Sequence, residues 1–264
     1  MPFITTHKIL EEYATYGFFG LIVYGPLRSG KSVFTVKLLA EIFGIIQRND
    51  WKTMITRPFD EWNQYVDRET KLDWEAWKKW MVFLPEEWME AIDSVEGAGE
   101  QHPMIVWDDA GLWASAYRWA DDFGKAVNEY VNVAATDFAS VCYTTPDPRW
   151  LLTHIRQMPG GHNARVIKTS GNIYDYSRRL KVYEGWITPD FKKGGVTSAY
   201  IDNYNCRLPD DVYNEYNVKR RTYTKIAKQH LREVIAQIRA NKGEKAANMA
   251  EMEFQVKAGF DLAE

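Results

Sequence analysis

An α/β fold is the architecture this sequence predicts: three layers around a mostly parallel sheet, then a β-rich extension and a C-terminal helix. Three observations predict it. Mostly apolar runs short enough for buried strands, Gly17–Tyr24, Met104–Trp107 and Ala139–Tyr143, alternate with stretches of helical spacing. The first run leads directly into Gly25-Pro26-Leu27-Arg28-Ser29-Gly30-Lys31-Ser32, which has the spacing G-x-x-x-x-G-K-S. Beyond residue 163 the texture changes to strand-like segments separated by Gly, Asn, Asp and Pro. The expected organisation is a core at residues 1–160, a β-rich continuation or small appendage at 161–207, and a basic helix with a tail at 208–264.

Taken in order, residues 6–16 read as a short amphipathic helix with Ile9, Leu10 and Tyr13 on one face. After the strand and glycine loop, Val33, Leu38, Leu39, Ile42 and Phe43 recur at helical spacing to about Gln47. Lys52–Thr56 reads as a second strand, ended by Arg57-Pro58. Trp74, Trp77 and Trp80, three apart, suggest a helix whose indoles pack on the sheet, with a base-stacking surface as the alternative. Val82–Leu84 suggests another strand, and Pro85-Glu86-Glu87 a helix start, with proline at the first position and acids in the first turn. Residues 94–103 read as an exposed loop. Ala164–Thr169, Leu180–Ile187 and Ser198–Tyr204 are the later strand candidates, and a long helix runs from Leu208 to about Ala240.

Composition narrows the function classes. The 264 residues carry a net charge of −3, so no global basicity announces nucleic acid. No apolar run approaches a membrane span, and the N-terminus shows no signal-peptide pattern. Cys142 and Cys206 lie far apart, and a reduced, cytoplasmic setting is the expectation. The five histidines match no zinc spacing. Between Lys219 and Lys245, however, nine basic residues face two acidic ones, a local patch suited to a phosphate backbone or to a solvated helix face.

The glycine loop implies nucleotide chemistry. Gly25, Pro26, Leu27, Arg28, Ser29, Gly30, Lys31, Ser32 and Val33 are expected to surround the phosphates, with every backbone N–H but the one proline lacks available at the positive end of a helix dipole. Lys31 is expected to reach the β and γ phosphates, and Ser32 to enter the Mg²⁺ shell. Met104–Trp107 ends in Asp108 and Asp109, and acids at strand ends face such a loop in parallel sheets. Asp108 is the expected second Mg²⁺ contact, and Asp109 stands where a water-activating carboxylate belongs, although Glu is usual there. Thr144 and Thr145 end the next strand and are candidates to sense the γ-phosphate or satisfy a turn. Arg149 and Arg156 follow; Arg156 is the preferred candidate for a finger offered in trans to a neighbouring subunit. With no N/T-K-x-D element for guanine, ATP is the expected nucleotide.

Together with the phosphate loop, Trp107-Asp108-Asp109-Ala110-Gly111-Leu112-Trp113, Thr144-Thr145-Pro146-Asp147-Pro148 and Leu208-Pro209-Asp210-Asp211-Val212-Tyr213-Asn214-Glu215-Tyr216 resemble, in that order, the DnaA-like P-loop ATPases of spindle-shaped viruses and plasmids of hyperthermophilic archaea. The resemblance covers roughly residues 15–235. It implies an ASCE-type P-loop NTPase fold and an Mg²⁺-dependent ATPase that acts on the element's DNA, in replication initiation or its control, in the host cytoplasm. The strand-like half after residue 163 departs from the helical lid of AAA+ proteins. It is similar instead to packaging and virion-assembly ATPases of the HerA/FtsK type, which implies a homo-oligomer with an arginine such as Arg156 working in trans. A nucleotide-gated DNA-binding regulator with little turnover is the third expectation, and Asp109 is its reason.

Overall fold

The computed structural model describes residues 2–62, 71–96, 99–115, 122–158, 160–172, 174–187 and 194–242. Two compact units divide at Leu208/Pro209. The first is a mixed α/β unit on a seven-stranded, mostly parallel sheet. Its strands are β1 (Phe19–Tyr24), β2 (Met81–Val82), β3 (Ile105–Trp107), β4 (Ser140–Thr145), β5 (Gly161–Lys168), β6 (Ser177–Ile187) and β7 (Gly194–Asn205). Their order across the sheet is β2-β3-β4-β1-β5-β6-β7. The pairs from β2 to β5 are parallel, and β6 and β7 join antiparallel at one edge. The strands after residue 160 are therefore hydrogen-bonded into the same sheet as β1.

Central strands are apolar without alternation because helices cover both of their faces. Leu21 and Val23 on β1, all of β3, and Val141 and Cys142 on β4 are inaccessible. Helix α1 (Ile4–Thr15) buries Ile9 and Leu10, and its half-buried Tyr13 stacks on Trp51 at 5.3 Å. Helix α2 (Lys31–Ile46) buries Phe34, Leu38, Leu39, Ile42 and Ile45. It meets α1 and β7 through an aromatic cluster of Phe3, Phe34 and Tyr204.

Three segments differ from what local sequence suggests. Lys52–Thr56 is not a strand: Trp51–Ile55 is a short helix, α3, with Met54 N–H bonded to the Asp50 carbonyl at 2.9 Å. Met54 and Ile55 are buried in succession, which a helical corner achieves on one side of the chain and a strand does not. Strand β2 is only Met81–Val82; Phe83 and Leu84 leave the sheet because the Glu87 carboxylate accepts both of their N–H groups. That bond starts helix α5 (Pro85–Asp93), after the shorter α4 (Ala76–Trp80). Trp77 and Trp80 are buried, so these two indoles pack in the interior and offer no stacking surface. The loop before β3 exposes Ser94, Glu96, Gly99 and Glu100 as expected, but its last part turns inward: Gln101 and Pro103 are buried, and His102 bridges Phe138. Residues 63–70 and 97–98 of these stretches lie outside the described residues.

Helices α6 (Asp122–Val131), α7 (Ala134–Asp137) and α8 (Thr153–Arg156) complete the first unit. The second unit is the 33-residue helix α9 (Asp210–Lys242), with Asp210 and Asp211 favourably placed in its first turn. The tail expected beyond Lys242 lies outside the described residues. Among the described residues no helix is long and apolar enough to cross a membrane.

Candidate nucleotide site

Strand order assembles the site. Strand β4 lies between β1 and β3, and parallel pairing brings the carboxyl ends of all three to one side. Register sets Val23 beside Thr144, and Tyr143 beside Trp107. Thr144 thus stands between the loop that follows β1 and the acids that follow β3.

The contacts follow from that placement. Asp108 is fully buried, and its Oδ1 accepts the Ser32 hydroxyl at 2.9 Å and the Thr144 hydroxyl at 2.5 Å. Thr144 Oγ1 accepts in turn the N–H of Asp109 at 2.8 Å. Asp109 itself has φ 52°, a left-handed conformation that Asp tolerates better than most residues. Thr145 is equally buried, but its hydroxyl donates to the Asp147 carbonyl at 3.0 Å, a turn contact. Thr144 is therefore tied to Asp108, whereas Thr145 shapes the chain's exit from β4.

Within the loop, Gly25 (φ 148°) and Gly30 (φ 104°) hold backbone angles that favour glycine. A Cβ on Gly30 would also collide with the Cys206 sulfur. Pro26, Leu27 and Arg28 form the exposed crest, and Ser29 beneath them is buried. Lys31 is buried, and its Nζ donates to the carbonyls of Gly25 and Pro26 at 3.0 Å each. Val33 is half-buried in the first turn of α2.

Sequence reasoning missed the residues of the antiparallel extension that meet this loop. Arg178 on β6 donates from Nε to the Ser29 carbonyl at 3.0 Å, and from Nη1 to the carbonyls of Asp175 and Ser177. Its cross-strand neighbour Tyr204 donates to the Gly30 carbonyl at 3.1 Å. Burial pushes the Cys206 thiol up against the opposing influence of Arg178, Lys37 and Lys168. The only sequence signal was the pair Arg178-Arg179, and adjacency alone does not say which of two strand neighbours faces inward.

The candidate finger residues are held locally. Arg156, on α8, donates to the Leu151 carbonyl at 3.1 Å and the Thr153 hydroxyl at 3.0 Å. Arg149 is exposed and grips Asp147 through Nε and Nη2.

The donor set suits a nucleoside triphosphate with Mg²⁺. Ser29 Oγ is buried without a hydrogen-bond partner, an orphan that a phosphate oxygen would satisfy. Ser32 and Asp108 are hard oxygen donors already 2.9 Å apart, and Mg²⁺ takes few protein ligands beside phosphate and water.

No family model matches the chain. In sequence it is similar to the uncharacterized protein B-251 of Sulfolobus spindle-shape virus 1, at 24% identity over 234 residues, covering 86% of this chain and 84% of that protein. Among solved structures it is similar to the N-terminal domain of zonular occludens toxin from Neisseria meningitidis, at 14% identity and TM-score 0.34, covering 75% of this chain and 97% of the other.

Proposed function

We propose that this chain is an Mg²⁺-dependent P-loop ATPase of the ASCE type that acts on the DNA of a viral or plasmid element, in replication initiation or its control. The observation that carries the ATPase reading is the chain of hydrogen bonds Ser32–Asp108–Thr144–Asp109 beside the glycine loop. It joins the strand ends that a hydrolysis site needs, and the buried orphan Ser29 Oγ supplies an unmet donor there. The viral or plasmid setting draws on the likeness to a spindle-shaped virus protein. The DNA role draws on the DnaA-like resemblance and on the basic stretch that begins at Lys219.

Each residue then has a part. Lys31 exchanges its two loop carbonyls for β and γ phosphate oxygens. Ser32 and Asp108 would hold Mg²⁺, which supplies Lewis-acid neutralisation of the phosphate charge when bound. Thr144 is a positioning residue: its hydroxyl aims the Asp108 carboxylate and fixes the Asp109 backbone. Asp109 orients the attacking water. Arg178 and Tyr204 hold the loop and the start of α2 to the extension. An oligomer in which Arg156 reaches a neighbour's nucleotide requires it to leave its contacts to Leu151 and Thr153.

A second reading, a nucleotide-gated regulator with slow turnover, has one specific observation in its favour. The carboxylate at the water-activating position is the shorter Asp, on a left-handed backbone. ATP hydrolysis, measured with and without Mg²⁺ and DNA, separates the two. The ATPase reading expects Mg²⁺-dependent turnover that falls about a thousandfold in Lys31→Ala and about a hundredfold in Asp109→Asn. Unchanged turnover in Lys31→Ala overturns the site. Tight ATP binding with turnover insensitive to Asp109→Asn selects the regulator.

A further inference from the structure

The antiparallel extension has two unlike faces. Inward, Leu180, Val182, Asp202 and Tyr204 are buried. Outward, register sets Tyr24, Arg165, Lys181 and Ile201 in one row across β1, β5, β6 and β7. The next row carries Ile167, Arg179 and Asn203, and the row on the other side carries Asn163, Tyr183 and Ser198. Arg165 and Arg179 are exposed, Lys181 is half-buried, and Ile167 and Ile201 are 37% and 43% exposed.

This face is basic without compensation among its described residues. Glu184 lies in the row of His162 and Thr197, hence on the opposite face, and Asp202 is buried inward. Asp147, whose charge reaches Tyr24, is already gripped by Arg149. Arg165 stands directly opposite Lys181, and like charges so placed in an antiparallel pair destabilise the sheet. A bound anion converts that repulsion into a bridge. Beside them, the Lys181 ammonium sits 5.2 Å from the centre of the Tyr183 ring.

We propose that this open face binds single-stranded nucleic acid, with backbone phosphates on Arg165, Arg179 and Lys181 and a base stacked on Tyr183. Charge complementarity selects a polyanion, and the aromatic ring with flanking Ile167 and Ile201 selects one with exposed, unpaired bases. Arg179 and Lys181 are two strand positions apart, about 7 Å, comparable to the step between phosphates of an extended strand. The inference deepens the DNA part of the function proposed above by moving the contact from α9 to the sheet, and it does not require hydrolysis.

The test is fluorescence anisotropy of the full chain with a labelled, mixed-sequence single-stranded DNA oligonucleotide over a salt series, with ATP affinity measured on every variant. Arg165→Ala/Arg179→Ala/Lys181→Ala is expected to weaken strand binding at least about tenfold at low salt and to flatten the log–log salt slope by about two. Tyr183→Ala is expected to weaken it about fivefold at unchanged slope. Unaltered ATP affinity in both variants assigns the losses to this face rather than to the phosphate loop. Unchanged strand affinity and slope in the triple variant overturn the proposal. Duplex DNA or polyglutamate competing as well as the single strand overturns the assignment of the ligand. Absence of ATP hydrolysis by the wild type would sink the ATPase reading and leave this one standing.

Discussion

At the scale of single residues, buried polar groups explain the most. Asp108 has no access to solvent, and two hydroxyls answer it, so removing one leaves a charged oxygen short of a donor. Thr144→Val keeps the shape and loses that donor; we expect kcat to fall at least about tenfold with a smaller change in KM. Arg178 acts through the loop backbone. Arg178→Ala should weaken ATP binding about five- to tenfold, roughly the worth of one charge-assisted hydrogen bond, with partial recovery in Arg178→Lys, as isothermal titration would read. Glu41 tests pH. Burial raises its carboxyl from 4.5 to about 8, against the pull of the Phe3 N–H it accepts. Burial raises Asp202 in the same direction. A raised folded pKa means that the folded chain binds the extra proton, so its stabilisation is present below 4.5 and lost as pH climbs towards 8. Tm should therefore decline across that window, and Glu41→Gln should flatten the decline.

At the scale of elements, the start of α1 shows how distant parts of the chain complete one another. Ile4 and Thr5 begin the helix with N–H groups that no side chain nearby in sequence caps. Asp202, from β7, accepts both N–H groups and the Thr5 hydroxyl. Asp202→Ala orphans two backbone donors, leaves the Thr5 hydroxyl only its contact to the Tyr200 hydroxyl and removes a favourable charge from the helix N-terminus, so we expect about 3 kcal/mol of lost stability in chemical denaturation. Helix α2 is tied down at two places: Lys31 and Ser32 bond the Gly25 carbonyl and Asp108 at its start, and Glu41, two and a half turns on, holds the N-terminal segment. Gly30→Ala places a methyl against Cys206 at a left-handed φ; it should cost stability and lower ATP affinity together, whereas a surface change would separate the two.

At the scale of the whole molecule, ATP with Mg²⁺ should stabilise the chain through linkage. Saturation at a hundred times Kd adds about 2.7 kcal/mol, visible as a rise in Tm that Lys31→Ala abolishes. If the metal partners are Ser32 and Asp108, chelation of Mg²⁺ should remove most of that rise.

The glycine loop, the apolar strands β1, β3 and β4, the start of α5 and the paired acids were legible in the sequence. Each is a local pattern: glycine spacing, an apolar run, proline followed by acids, carboxylates at a strand end. What sequence alone determined, then, was the local pattern of Gly25–Ser32 and Asp108-Asp109 and the alternating layers that carry it. Only tertiary structure decided that Lys52–Thr56 joins a helix, because a short apolar pair takes its conformation from what covers it. It also decided which threonine serves Asp108, through the placement of β4 between β1 and β3. And it sent Arg178 to the loop and Arg179 to the open face, since side chains alternate along a strand and register, set by pairing partners far away in sequence, chooses which one turns inward.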